Sequence, residues 1–123
     1  MSKEALDRAF TALADPTRRD VVTLLRARPR RAGDLAQALA VSPPALSRHL
    51  RLLRLNGLVE QTCLPDDGRV HVYRLRPEPF ADLRGWLDQV ESFWSSQLVA
   101  FKAHAEGGPS RRPARPRRRR GDR

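Results

Sequence analysis

The chain predicts a mainly α fold with a small β-hairpin. Three observations lead there. Apolar residues recur every three or four positions in five separate stretches, the mark of helices with one buried face. Two of those stretches open on proline directly behind a capping residue, at Asp15-Pro16 and at Ser42-Pro43-Pro44. Between the fourth and fifth stretches stand two short β-branched runs around "PDDGR".

Residues 3–14, "KEALDRAFTALA", put Leu6, Ala9, Phe10 and Leu13 on one face of a first helix. Asp15 then caps a second helix, and Pro16 takes its first position, where no N–H is needed. Val21, Val22, Leu24 and Leu25 supply its apolar face, and it ends before Pro29 because the residue preceding proline disfavours the helical region. "AGDLAQALA" is a short third helix with Leu35 and Leu39 inward. Ser42 caps the fourth. Pro43 and Pro44 occupy its first two positions, whose N–H groups would lack intrahelical partners in any case, so the pair marks a sharp start. Asn56-Gly57 stops it with a left-handed residue. Residues 58–64 and 70–75 form the hairpin, with Asp67-Gly68 expected at the turn and glycine there at positive φ. From Pro77 to about Ala105 runs one long helix striped by Phe80, Leu83, Leu87, Val90, Trp94, Leu98 and Phe101, widened by Trp86 and Phe93. Helix, helix, short helix, helix, hairpin, long helix is a winged helix-turn-helix, with the turn at residues 40–42.

The stretch "VSPPALSRHLRLL", residues 41–53, carries the functional argument. A helix that enters a DNA groove needs one apolar face locked into its domain and one polar, cationic face turned outward. On residues 43–54, Leu46, Leu50 and Leu53 make the inner face. Ser47, Arg48 and Arg51 fall on the other, with Pro43 and Pro44 at the tip. Arginine bonds guanine bidentately, and serine bonds base edges or phosphate. A merely solvated face would also explain Arg48, Arg51 and Arg54; the cap, the helix-turn-helix spacing and the following hairpin weigh against it. Arg69 sits on the wing 64–70, as a phosphate or minor-groove contact or as an ordinary turn-flanking charge. His49 is open between a DNA contact and a hydrogen-bonded structural residue.

Charge is unevenly spread. The formal net is +10, of which residues 107–123 hold +7 and residues 1–106 only +3. The organisation expected is a folded domain over 1–106, for DNA binding and dimerisation, and a disordered Arg-rich tail over 107–123, where no apolar residue can nucleate packing. A DNA partner therefore has to be argued from the folded part. Cys63 is the one cysteine, which rules out an intramolecular disulfide and fits a reducing compartment. With no long apolar run and no signal-like start, the expectation is a soluble, cytoplasmic protein that meets no membrane and associates with the nucleoid when bound to DNA. No nucleophile–base pair, Gly-rich phosphate loop or carboxylate pair points to an enzyme, and none points to a cofactor.

"LADPTRRDVVTLL", "VSPPALSRHLRLLRLNGLVE" and "DGRVHVYRL" resemble the ArsR-type winged-helix transcriptional regulators, mostly dimeric bacterial repressors, over about residues 3–104. The resemblance implies that the helix behind Ser42 reads the major groove of an operator and that the hairpin is the wing. Ser47 and Arg48 become base-edge candidates, with Ser42, Arg51 and Arg69 nearer the backbone. Pro43 stands where a glutamine is frequent, which shifts specificity toward Ser47 and Arg48. The resemblance also implies a homodimer held by the first and last helices, through Leu6, Phe10, Leu13, Trp86, Val90, Phe93, Trp94 and Phe101. Metal-sensing relatives carry a Cys-x-Cys pair early in the third helix, where this chain has Arg31, Ala32 and Gly33. Others carry paired histidines on the last helix, where this chain has Asp82, Asp88, Glu91 and His104. Cys63, His49, His71 and His104 are scattered along the sequence, whereas soft metals want three or four clustered ligands. A non-metal branch is the expectation, and an unknown small-molecule effector stays open. The competing readings are a sequence-tolerant architectural protein that binds through its tail, and a metal-responsive repressor with a site shared between subunits.

Overall fold

The computed structural model describes residues 2–107. Its elements follow the expected order: α1 (Lys3–Leu13), α2 (Pro16–Leu25), α3 (Ala32–Leu39), α4 (Pro43–Leu55), β1 (Val59–Leu64), β2 (Asp67–Leu75) and α5 (Pro77–Gly107). The chain divides into two compact units, Met1–Arg84 and Gly85–Arg123. That division falls inside the expected 1–106 domain, and the tail expected over 107–123 lies, but for Gly107, outside the described residues.

In the first unit the caps act as their residue types dictate. Ser2, Asp15 and Ser42 accept from the backbone N–H groups of Ala5, Arg18 and Ala45, at 3.0, 3.1 and 3.3 Å. Pro16, and Pro43 with Pro44, fill opening helical positions without sacrificing a donor. The core gathers Val21, Leu25, Leu35, Leu46, Leu50 and Leu53 from three helices, closed by Leu58, Val59 and Leu83. On α1 the buried side chains are Ala9 and Ala12, with Leu6 and Leu13 half-buried beside them and Phe10 43 % exposed. Of the expected face, Leu6, Ala9 and Leu13 thus meet the core while Phe10 turns outward, and Ala12 joins them, its small side chain letting the helix approach closely.

Two helix ends use left-handed residues. Gly57 (φ 78°) stops α4, with Leu58 N–H donating to the Leu53 carbonyl at 3.0 Å. Ala40 (φ 53°) does the same for α3, with Val41 N–H donating to Ala36 at 3.0 Å. A Cβ in that region is strained, yet this residue sets the turn between α3 and α4.

The hairpin differs from expectation at its tip. The turn is Pro65-Asp66, two residues earlier than Asp67-Gly68, and β2 already begins at Asp67, paired with Leu64. Gly68 lies in the strand, and Gly57 is the one glycine at positive φ among the described residues. Proline pre-sets φ for the first central turn position. Asp67 folds its Oδ1 onto the Arg69 N–H at 3.0 Å, and a register shift between Cys63 and Leu64 absorbs the mismatch. On the other edge of β2, Arg30 pairs with Tyr73 through two backbone hydrogen bonds of 3.0 and 2.8 Å.

The second unit contains the remainder of α5. Leu87, Val90, Trp94, Leu98 and Phe101 recur on one face of it, with Phe93 alongside, and all are exposed in the single chain. No described helix is long and apolar enough to cross a membrane.

Candidate nucleic-acid interface

α4 has two faces because its leucines fall three and four residues apart. Leu46, Leu50 and Leu53 are at most 2 % exposed. Arg48 points in the opposite direction around the helix, flanked by Pro44, Ser47 and Arg51, and all four are exposed. Ser42 and Pro43 are exposed at the helix start. The Ser42 hydroxyl is already engaged with the Ala45 N–H, so it can also donate outward to a phosphate but cannot turn away without uncapping the helix. Among the described residues Arg48, Arg51 and Arg54 have no ion pair or side-chain hydrogen bond. Their guanidinium groups are thus unspent, as a face meeting an external anion requires.

His49 does not join this row. Its side chain is 22 % exposed and turns toward the start of α2, with Nδ1 at 3.4 Å from Arg18 Nη1 and 3.8 Å from Asp15 Oδ2. The second distance is too long for a hydrogen bond. Arg18 in turn donates Nε to the Ala12 carbonyl at 2.7 Å and Nη2 to Thr11 at 3.2 Å. One arginine therefore ties the end of α1 and the start of α2 to the helix that carries Arg48. The Arg18 backbone N–H bond is the main cause that holds the Asp15 carboxyl below its ordinary range. Arg18 had no signal in the sequence, because its contact with His49 joins residues 31 apart.

On the wing, the Arg69 side chain is 93 % exposed and meets Asp67 at 3.3 Å. An exposed pair of this kind contributes little and exchanges readily for a phosphate. The predicted dimer residues divide in two. Leu6 and Leu13 are half-buried against the core, and Trp86 is half-buried. Phe10, Val90, Phe93, Trp94 and Phe101 are exposed in the single chain, the last three at 62, 59 and 71 %.

Cys63 and His71, distant in sequence, stand opposite each other across the hairpin, with Sγ at 3.6 Å from Nδ1. They are two groups where a soft metal takes three or four. No set of three or more His, Cys, Asp or Glu side chains placed to hold a metal occurs among the described residues.

A helix-turn-helix with an outward cationic row and an adjoining hairpin defines a winged helix-turn-helix protein of the DNA-binding class. Residues 15–61 match the family model of bacterial regulatory proteins of the arsR family. The HTH-type transcriptional regulator Rv2034 of Mycobacterium tuberculosis is 43 % identical over 95 residues, covering 77 % of this chain and 83 % of that protein. The transcriptional repressor SdpR of Bacillus subtilis is 39 % identical over 82 residues, 67 % of this chain and 88 % of the relative. Among solved structures, an ArsR-like transcriptional regulator from Rhodococcus sp. RHA1 superposes with a TM-score of 0.67 at 33 % identity, covering 82 % of this chain and 92 % of that one. The homodimeric winged helix-turn-helix DNA-binding domain of Mb0332 from Mycobacterium bovis reaches 0.58 at 27 %, covering 72 and 80 %. The chain belongs to the ArsR family of DNA-binding transcriptional regulators.

Proposed function

We propose that this regulator is a dimeric repressor that binds an inverted-repeat operator, residues 43–54 entering the major groove and the wing 64–70 lying beside it. The observation that carries this reading is the division of α4 into a wholly buried leucine face and an outward row of Ser47, Arg48 and Arg51 without side-chain partners among the described residues. Ser47 and Arg48 act on base edges; Ser42, Pro43, Pro44, Arg51 and Arg69 seat the helix and wing on the backbone. His49 acts from behind, by bracing α4 on Arg18. SdpR is a repressor and the Mb0332 domain is homodimeric, which supports both parts of the proposal.

Dimerisation uses the exposed aromatic stripe of α5 together with α1, over residues 1–106, and the tail of residues 107–123 adds affinity without choosing a sequence. The protein has no catalytic role and works in the cytoplasm, on nucleoid DNA. Release from DNA does not run through a metal held within one chain, because the Cys63–His71 pair falls short of a ligand set. A small-molecule effector of another kind remains compatible. A genome-wide binding map tests the whole reading: discrete sites, including the protein's own promoter, are expected, whereas uniform coverage would favour an architectural protein acting through its tail.

A further inference from the structure

The run "RARPRR", residues 26–31, places four arginines in six positions with no acidic residue among them, and the reading of α4 and the wing makes no use of it. Pro29 prevents α2 from continuing, and the two bonds between Arg30 and Tyr73 stitch the loop to the free edge of β2. The loop is thereby a one-residue third strand, held in a fixed position along the wing. Arg30 is half-buried and spends its Nε on the Leu24 carbonyl at 3.3 Å. Arg31 meets Asp34 at 3.6 Å in a pair more than half exposed on both sides. Arg28 is exposed and has no ion pair or side-chain hydrogen bond among the described residues.

Between loop and wing lies an open cleft of about 290 Å³, with Arg28, Arg30 and Arg31 on one wall and Leu64, Val70 and Val72 on the other. Asp34 also lines it and is already engaged by Arg31. Leu64 and Val70 flank the hairpin tip, where Arg69 is paired with Asp67 beside exposed Asp66, so the arginines of the loop are the cations that face the cleft.

We propose that this loop and wing edge form a second phosphate-binding surface, which holds the backbone of duplex DNA outside the half-site read by α4. The proposal rests on the reading that the chain binds DNA through α4. Its occupant is a polyanion and not a small ion, because the cations are spread along an exposed edge. Each alone is weak in water, while a phosphate chain engages several at once and releases counterions. The apolar wall suits the deoxyribose faces between successive phosphates. The sheet runs in the order Arg30, β2, β1, and α4 packs on β1, so within the sheet the loop lies on the side away from the β1 edge that meets α4. With α4 in the major groove and the wing beside it, the loop reaches the duplex beyond the wing.

The test uses the full chain and the tightest duplex that it selects from a random pool. One version ends at the inverted repeat, and a second carries about one further helical turn at each end. Wild type, Arg28→Gln/Arg31→Gln, single Arg28→Gln and Arg48→Ala are titrated by fluorescence anisotropy over a range of salt. The double variant should lose much of the wild-type preference for the longer duplex. Its salt slope there should fall by about 0.9 for each lost phosphate contact, about 3.6 for two contacts on each of two protomers. Single Arg28→Gln should show about half that change. Both variants should keep the wild-type melting temperature, since the side chains are exposed. If the double variant keeps the wild-type slope and length preference while Arg48→Ala loses the selected duplex, the second surface is refuted and the role of α4 stands. If wild type selects no duplex over unrelated DNA, both fall together.

Discussion

Trp94→Glu separates the dimer from the monomer most sharply. Trp94 is 59 % exposed in the single chain, on the α5 stripe shared with Val90, Leu98 and Phe101. A tryptophan has at most about 250 Å² to bury, so pairing can remove about 150 Å² from water in each copy. At about 25 cal/mol per Å² that is about 3.7 kcal/mol per protomer and about 7 kcal/mol per dimer, as an upper bound. Half of that bound still shifts the dimer Kd by a factor of about 500. Glutamate adds the cost of taking a carboxylate out of water. The buried core of the first unit ends at Leu83, so the helix-turn-helix should stay folded in the variant. Sedimentation velocity at micromolar concentration should show a wild-type dimer and a Trp94→Glu monomer, with operator affinity falling alongside. A well-folded wild-type monomer under those conditions would refute the reasoning, as would a variant that dimerises like wild type.

Arg48→Ala should weaken operator binding by at least roughly 30-fold, from about 1 kcal/mol or more lost at each of two half-sites, with unchanged sedimentation; unaltered affinity at fixed salt removes Arg48 from the reading face. Deleting residues 107–123 should weaken binding to operator and random DNA by similar factors and flatten the salt dependence, and a loss confined to the operator would mean that the tail reads a groove. Ala40→Gly should raise stability by about 0.5–1 kcal/mol, because glycine relieves the left-handed strain and gives part of the gain back in unfolded-state freedom; a lower melting temperature contradicts that. Asp15 has a lowered folded pKa, so its contribution is present above the unfolded carboxylate pKa and lost as pH falls through the folded one. Asp15→Ala should therefore be less stable than wild type at neutral pH, and the gap should narrow in acid; a gap that stays constant across acid unfolding curves counts against the cap.

Much of the fold could be read from residues that act locally. Pro43 and Pro44 behind Ser42 open α4 where their missing N–H groups require, and the spacing of Leu46, Leu50 and Leu53 orients Arg48 outward before any contact is considered. The hairpin tip departs from the sequence pattern because Asp67-Gly68 is a strong local signal, while Pro65 and the register shift at Cys63/Leu64 set the turn earlier. On α1, the spacing places Leu6, Ala9 and Leu13 against the core as found, but gives no sign that Phe10 turns outward or that Ala12 is buried in its stead. Ala40 could not be foreseen as a left-handed residue, since only the reversal between α3 and α4 imposes that conformation. The brace from Arg18 to His49 and the facing of Cys63 with His71 are tertiary, so no local pattern announces them. The arginines of residues 26–31 gain their meaning only from the fold, because their place beside the wing depends on the Arg30–Tyr73 pairing.

The central claim is that two copies of α4 read one operator as a symmetric pair. Hydroxyl-radical footprinting of the selected duplex with the full chain tests it directly. Two protected patches related by a dyad and about one helical turn, roughly 34 Å, apart are expected, and both should fade together in Arg48→Ala. A single patch, or even protection along the whole duplex, would contradict the claim.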